Sequence, residues 1–83
     1  MKRVLTYTRQ AMKERRRAPA QVLARIDAAL EAYVADPAST RNVRKLKGRD
    51  ELRIRVGDWR VIMADDGTTV RVLNIRPRGS AYR

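Results

Sequence analysis

By type and spacing, Arg53, Arg55 and Arg60 are the residues best suited to do chemistry in this chain. A guanidinium is planar and permanently charged, and it grips phosphate or carboxylate through two parallel N–H donors. Arg53 and Arg55 alternate with Leu52, Ile54 and Val56, the period of a strand with one buried face. Gly57-Asp58 supplies a turn, and Trp59 to Ala64 returns as the next strand. Three arginines would then stand on a hairpin of fixed geometry, an anion-binding surface. The chain contains no histidine and no cysteine. This excludes imidazole acid–base chemistry, thiol nucleophiles, disulfides and thiolate metal sites. Any catalysis must use Lys, Arg, Tyr, Asp or Glu, or a group on the substrate itself. No metal and no cofactor is expected.

Charge narrows the partners. Lys and Arg total 20 against 9 Asp and Glu, a net +11, and sixteen of those cations are Arg. Codon preference can favour Arg over Lys, but it does not produce an excess of positive over negative charge. Such a balance favours polyanionic partners: nucleic acid, a ribosome or an acidic protein. The Met1 to Thr6 stretch lacks the continuous apolar run of a secretory signal. No apolar run approaches the roughly 18 residues of a membrane helix. A cytoplasmic protein without a membrane partner is expected.

The hairpin needs a scaffold, and 83 residues make one domain, 1–83, with a small core. Arg3 to Thr8 alternates weakly and reads as an edge-like strand. Thr8 is a candidate N-cap for a short basic helix over Arg9 to Arg17, with Met12 as its main apolar contact. Ala18-Pro19 breaks that helix, and Pro19 suits the first turn of another. Gln21 to Ala35 carries the strongest helical pattern. Leu23, Ile26, Leu30 and Tyr33 form one stripe, widened by Val22 and Val34, and Asp27, Glu31 and Ala35 mark a solvent face. Asp36-Pro37 ends it.

Residues 37–51 read as a polar connection pinned by Val43 and Leu46. After the hairpin, Asp65-Asp66-Gly67 is a strong type I′ turn signal. Thr68 to Ile75 is a third strand, which cannot extend its ladder past Pro77. The expected architecture is α+β, in the order β-α-α-β-β-β. Two N-terminal helices pack on one face of a small antiparallel sheet, and the arginines occupy the other.

These residues carry a family resemblance. Ala35-Asp-Pro37, Val43-Arg-Lys-Leu-Lys-Gly48, Leu52-Arg-Ile-Arg-Val-Gly-Asp-Trp-Arg-Val-Ile62 and the final Tyr82-Arg83 resemble the RelE/ParE toxin superfamily. The helix pair interrupted at Arg17-Ala-Pro19 resembles its N-terminal half. The likeness spans essentially the whole chain. It implies the toxin of a type II toxin–antitoxin system, silenced by a cognate antitoxin. In the RelE branch it implies cleavage of mRNA in the ribosome; in the ParE branch it implies poisoning of DNA gyrase.

The resemblance also assigns roles. Arg60 matches the arginine taken to contact the scissile phosphate, and Arg53 matches a basic residue on the strand before it. Arg78 and Tyr82 match a basic-then-Tyr pattern, with Arg76 a competing candidate by spacing, so the expected catalytic set is Arg53, Arg60, Arg78 and Tyr82. Arg55, Lys47, Arg76 and Arg83 are the expected RNA-binding residues. Some positions depart from the family pattern. Glu51 stands where a second basic residue is expected, a role that Arg55 can take in part, and Pro77, Gly79 and Ser80 interrupt a stretch that is commonly more basic. Trp59 is read as core packing beside the turn, and Tyr7 and Tyr33 as core or rim. Lys13, Arg15, Arg16 and Arg17 form a basic cluster on the first helix.

The leading expectation is a metal-independent endoribonuclease, in which the RNA's own 2′-hydroxyl attacks the adjacent phosphate while the protein orients it and neutralises charge. The alternatives are a gyrase inhibitor, and an inactive toxin-fold module that only binds its antitoxin.

Overall fold

Thr8 starts the first helix as its sequence suggests: its backbone is extended and its Oγ1 accepts from Ala11 N at 3.0 Å. In the computed structural model, which describes residues 3–40, 43–45 and 51–77, that helix is α1, Arg9–Arg17. It follows strand β1, Val4–Tyr7. Ala18 turns extended before Pro19, and α2 runs from Ala20 to Ala35. A short 3-10 turn, Pro37–Ser39, leads to strand β2, Val43–Lys45. Strands β3, Glu51–Val56, β4, Trp59–Asp65, and β5, Thr69–Pro77, complete the described residues. No helix among them is long and apolar enough to cross a membrane.

The described strands form one five-stranded sheet in the order β1-β5-β4-β3-β2. Strands β2 to β5 are antiparallel neighbours, but β1 lies parallel to β5, with Val4 opposite Thr69 and Tyr7 opposite Val72. The sheet is therefore mixed rather than wholly antiparallel. The helix pair carries the chain away from β1, and the last strand returns to lie beside the first. The expected edge position of β1 holds. Strand β2 is the other departure, since it falls in the stretch read as a connection. Three residues are too few to show a strand period, and only Val43 packs against the core. Leu46, the second expected pin, lies outside the described residues.

The α2 stripe packs as its period predicts. Ile26, Leu30, Tyr33 and Val34 are buried against Ile54, Val56, Val61, Met63, Val70, Val72 and Ile75 of the sheet. Strand β5 breaks strict alternation at Leu73. Ile62 pairs with Asn74 and Met63 with Val72, so Leu73 is an extra residue in a bulge. That bulge lets both Val72 and Ile75 face the core, which a regular strand with this sequence could not do.

Two expectations for the helices are corrected. Met12 is 38% exposed, whereas Ala11 is fully buried and Glu14 nearly so. Helix α1 lies along β5, and this close approach favours a small residue at position 11. Asp27 is not on a solvent face: it is half-buried and accepts from Arg15 Nη2 at 2.6 Å, joining the two helices. The β4–β5 turn forms with Gly67 at φ +97°. Asp66 Oδ1 pins it by accepting from Thr68 N at 2.9 Å and Thr69 N at 2.7 Å.

Candidate functional site

Strand register assembles the arginines. Arg55 lies directly opposite Arg60, and Arg60 directly opposite Arg76. Directly opposed residues of a sheet share a face. The alternating positions Ile54, Val56, Val61 and Ile75 are buried against α2. The three arginines therefore form a row across β3, β4 and β5 on the opposite face. A neighbouring row on that face runs Arg44, Arg53, Ile62 and Asn74. A third runs Glu51, Ala64 and Arg71. Opposed Cβ atoms in such rows are about 4.5–5.5 Å apart, and like charges so placed repel. A bound polyanion relieves that repulsion.

Each arginine is held differently. Arg55 is exposed and its Nε lies 3.5 Å from Gly57 O, while Arg53 and Arg60 are half-buried. Arg76 donates from Nε to Glu14 Oε2 at 2.6 Å. Glu14 also accepts from Ile75 N at 2.9 Å, Asn74 Nδ2 at 3.3 Å and Gln10 Nε2 at 3.2 Å. Burial alone would push the Glu14 carboxyl up. The bonds from Arg76, Ile75 N–H, Gln10 and Asn74 outweigh it and hold the group below the usual carboxylate range.

The turn at the end of the hairpin admits a further cation. Gly57 takes φ +58°, and the Arg25 guanidinium from α2 lies 3.3 Å from where a Cβ on Gly57 would stand. Glycine meets both demands, the left-handed backbone and the close approach.

Of the expected site residues, Arg53, Arg55, Arg60 and Arg76 are therefore brought together on one sheet face. Arg78, Tyr82, Arg83 and Lys47 lie outside the described residues. Glu51 shares the arginine face but sits in the row with Ala64 and Arg71, away from the Arg55–Arg60–Arg76 row. Trp59 packs against the core, as does the half-buried Tyr7. The basic cluster of α1 divides. Lys13, Arg16 and Arg17 are exposed, whereas Arg15 turns inward to Asp27, with its guanidinium 5.7 Å from the Tyr7 ring centre. Among the described residues no three Asp or Glu side chains gather as a metal site would require.

Sequence reasoning missed Glu14, Asn74, Arg44, Arg71 and Arg25. For Glu14 a signal existed, because it is the one acid in the helix sequence RQAMKERRR. The others depend on strand register and on the packing of α2 over a turn, which residue types alone do not specify.

Comparisons with known proteins bear on the fold and the family. The family model described as "ParE toxin of type II toxin-antitoxin system, parDE" matches residues 5–82. Among solved structures, the RelE–RelB complex from Pyrococcus horikoshii superimposes with a TM-score of 0.79 at 26% identity, covering 98% of this chain and 100% of that one. The toxin–antitoxin complex RelBE2 from Mycobacterium tuberculosis gives 0.79 at 22% identity, over 94% of this chain and 100% of that one. A YoeB/ParE toxin from Agrobacterium tumefaciens gives 0.76 at 17% identity, over 90% and 98%. No curated protein matches in sequence. The strand order, the helix pair and a family match across nearly the whole chain lead to one conclusion: this chain belongs to the ParE toxin family of type II toxin–antitoxin systems.

Proposed function

We propose that this toxin is a metal-independent endoribonuclease acting on mRNA in the ribosome, and that a cognate antitoxin silences it. The observation that carries this reading is the row Arg55–Arg60–Arg76, with Arg53 beside it on the same rigid sheet face. Attack of a 2′-hydroxyl on the adjacent phosphate builds negative charge on a pentavalent phosphorus. Fixed guanidinium groups stabilise that charge without reorganising at the moment of reaction. The substrate supplies the nucleophile, so a histidine-free protein need only orient the RNA, neutralise charge and assist proton transfer. Arg60, central in the row, contacts the scissile phosphate. Arg53, Arg78 and Tyr82 assist, and Arg55, Lys47, Arg76 and Arg83 hold flanking phosphates.

A second reading, inhibition of DNA gyrase by binding alone, is favoured by two observations. The matching family model is that of ParE toxins, and acidic Glu51 stands on the arginine face. Inducing the chain alone in a bacterium, then following translation and DNA supercoiling separately, discriminates the two. RNA cleavage stops translation first and leaves supercoiling intact, whereas gyrase inhibition relaxes DNA first. A harmless chain would favour an inactive antitoxin-binding module.

The antitoxin reading rests on charge and kinship. The chain carries +11 on a small domain, and the matching P. horikoshii and M. tuberculosis structures are toxin–antitoxin complexes. An acidic or amphipathic antitoxin segment fits such a surface, and its association is fast and weakens with salt. Co-purification with the neighbouring gene product, repeated at rising salt, tests it.

A further inference from the structure

Glu14 is 7% exposed in a helix whose other charged residues are all basic. Helix α1 continues along the part of β5 that β1 does not reach. Strand β1 pairs with Thr69 to Val72. At that point Thr8 N donates to Val72 O at 2.9 Å and Thr8 Oγ1 donates to Leu73 O at 3.1 Å. Ile75 N, next along the seam, donates to Glu14 Oε1. Satisfying that one N–H needs a single oxygen. The other oxygen, Oε2, takes Arg76 Nε at 2.6 Å, the shortest of Glu14's bonds.

The grip is through Nε, so Glu14 uses neither Nη group of Arg76. Arg76 stands directly opposite Arg60 in the row that crosses the sheet. An arginine side chain has four rotatable bonds, and ordering such a chain costs rotamer freedom. A carboxylate bonded at the root of the fork meets that cost before any ligand arrives. It also offsets one of three adjacent positive charges, so the row can assemble in the absence of a polyanion.

We infer that Glu14 is a positioning residue for the anion site: its carboxylate fixes the Arg76 guanidinium in line with Arg60 and Arg55, with the Nη donors directed to RNA phosphate. This inference rests on the RNA-cleaving reading given above.

Charge provides a sharp test. Glu14→Gln makes a basic protein more positive by one unit, so simple electrostatic attraction to RNA predicts equal or better activity. Positioning predicts the reverse. Gln keeps an oxygen for Ile75 N–H but turns an NH2 group toward Arg76 Nε, which cannot accept it. The experiment measures mRNA cleavage by the full chain in translating ribosomes, for the wild type, Glu14→Gln, Arg76→Gln and the double variant. The expected result is a kcat/KM lowered about 10–100-fold in each single variant, as misplacement of a positioned group produces. The double variant loses no more than either single one, because both changes remove the same function. A purely structural Glu14 would instead give independent losses that multiply in the double variant. Folding is checked by circular dichroism. Should Glu14→Gln fail to fold, Glu14→Asp replaces it: the carboxylate remains but is too short to hold Ile75 N and Arg76 Nε together, and the same loss is expected. Undiminished cleavage in the folded Glu14 variant, or multiplied losses, overturns the proposal while the RNA reading stands. A wild type that does not cleave overturns the RNA reading and this inference with it.

Discussion

Tyr33 donates its hydroxyl to Asp65 Oδ2 at 2.6 Å, tying the end of α2 to the last residue of β4. Asp65 Oδ1 accepts from Arg3 Nε at 2.8 Å and from Gly67 N at 2.9 Å. One carboxylate thus joins the entry to β1, the second helix and the β4–β5 turn. Tyr33→Phe removes a bond to a charged acceptor while Arg3 and Gly67 keep theirs. The expected loss is about 1.5–3 kcal/mol, the usual size for such a bond. Urea unfolding measures it, and an unchanged midpoint would show that the bond contributes nothing.

How much of this was legible beforehand depended on the range of the interaction. The α2 stripe Ile26-Leu30-Tyr33 follows from a helical period, and the Gly57-Asp58 hairpin from alternation around a turn; both are local signals. The parallel pairing of β1 with β5 brings Val4 to Thr69, and no local pattern encodes that. The site divides the same way. Arg53, Arg55 and Arg60 were visible from one hairpin, but Arg76 joins their row only through the register of β4 with β5. Glu14 was passed over, because its burial depends on α1 lying against β5.

Stability should fall in acid. Burial alone would raise the Asp65 carboxyl, but bonds from Tyr33, Gly67 N–H and Arg3 outweigh it and lower its pKa, and Glu14 is lowered in the same way. Both folded-state values lie below the unfolded ones, so the folded state binds fewer protons. Their contribution is complete above about pH 4, the ordinary carboxylate range, and fades as pH falls through the folded values. Tyr33 behaves oppositely. Desolvation, reinforced by Asp65, pushes its hydroxyl from 10.0 to about 12, so its contribution is present below pH 10 and fades as pH rises through that window. Urea midpoints across pH should therefore form a plateau that declines at both ends. Tyr33→Phe should flatten the alkaline limb and Glu14→Gln part of the acid limb; limbs unchanged in both variants would contradict these assignments.

Leu30→Ala tests the core. Leu30 is fully buried in the cluster between α2 and the sheet. Removing its branched end leaves a cavity and costs about 2–5 kcal/mol. Against a total of roughly 5–15 kcal/mol for a domain, that is enough to leave part of the population unfolded at 37 °C. Thermal melts with no loss of stability would place the buried face of α2 elsewhere.

The chemistry supplies the last prediction. If Arg60 stabilises the phosphorane and Arg78 or Tyr82 assists the leaving 5′-oxygen, the first step needs neither water nor metal. The products then carry a 2′,3′-cyclic phosphate and a 5′-hydroxyl. Arg60→Ala should cut cleavage about 10²–10³-fold, the usual size for one lost oxyanion donor. Arg60→Lys should restore only part of it, because an ammonium is a point charge where the row presents a planar fork. Tyr82→Phe separates two roles: full activity leaves only the ring in use, and a loss assigns the hydroxyl to proton transfer. Primer extension on mRNA in translating ribosomes reads each variant, with folding checked by circular dichroism. Cleavage that persists unchanged in Arg60→Ala removes this site from consideration. Products that carry a 3′-hydroxyl and a 5′-phosphate instead would remove the mechanism, because a 2′-hydroxyl that attacks its own phosphate keeps that phosphate on the 3′ side and releases a 5′-hydroxyl.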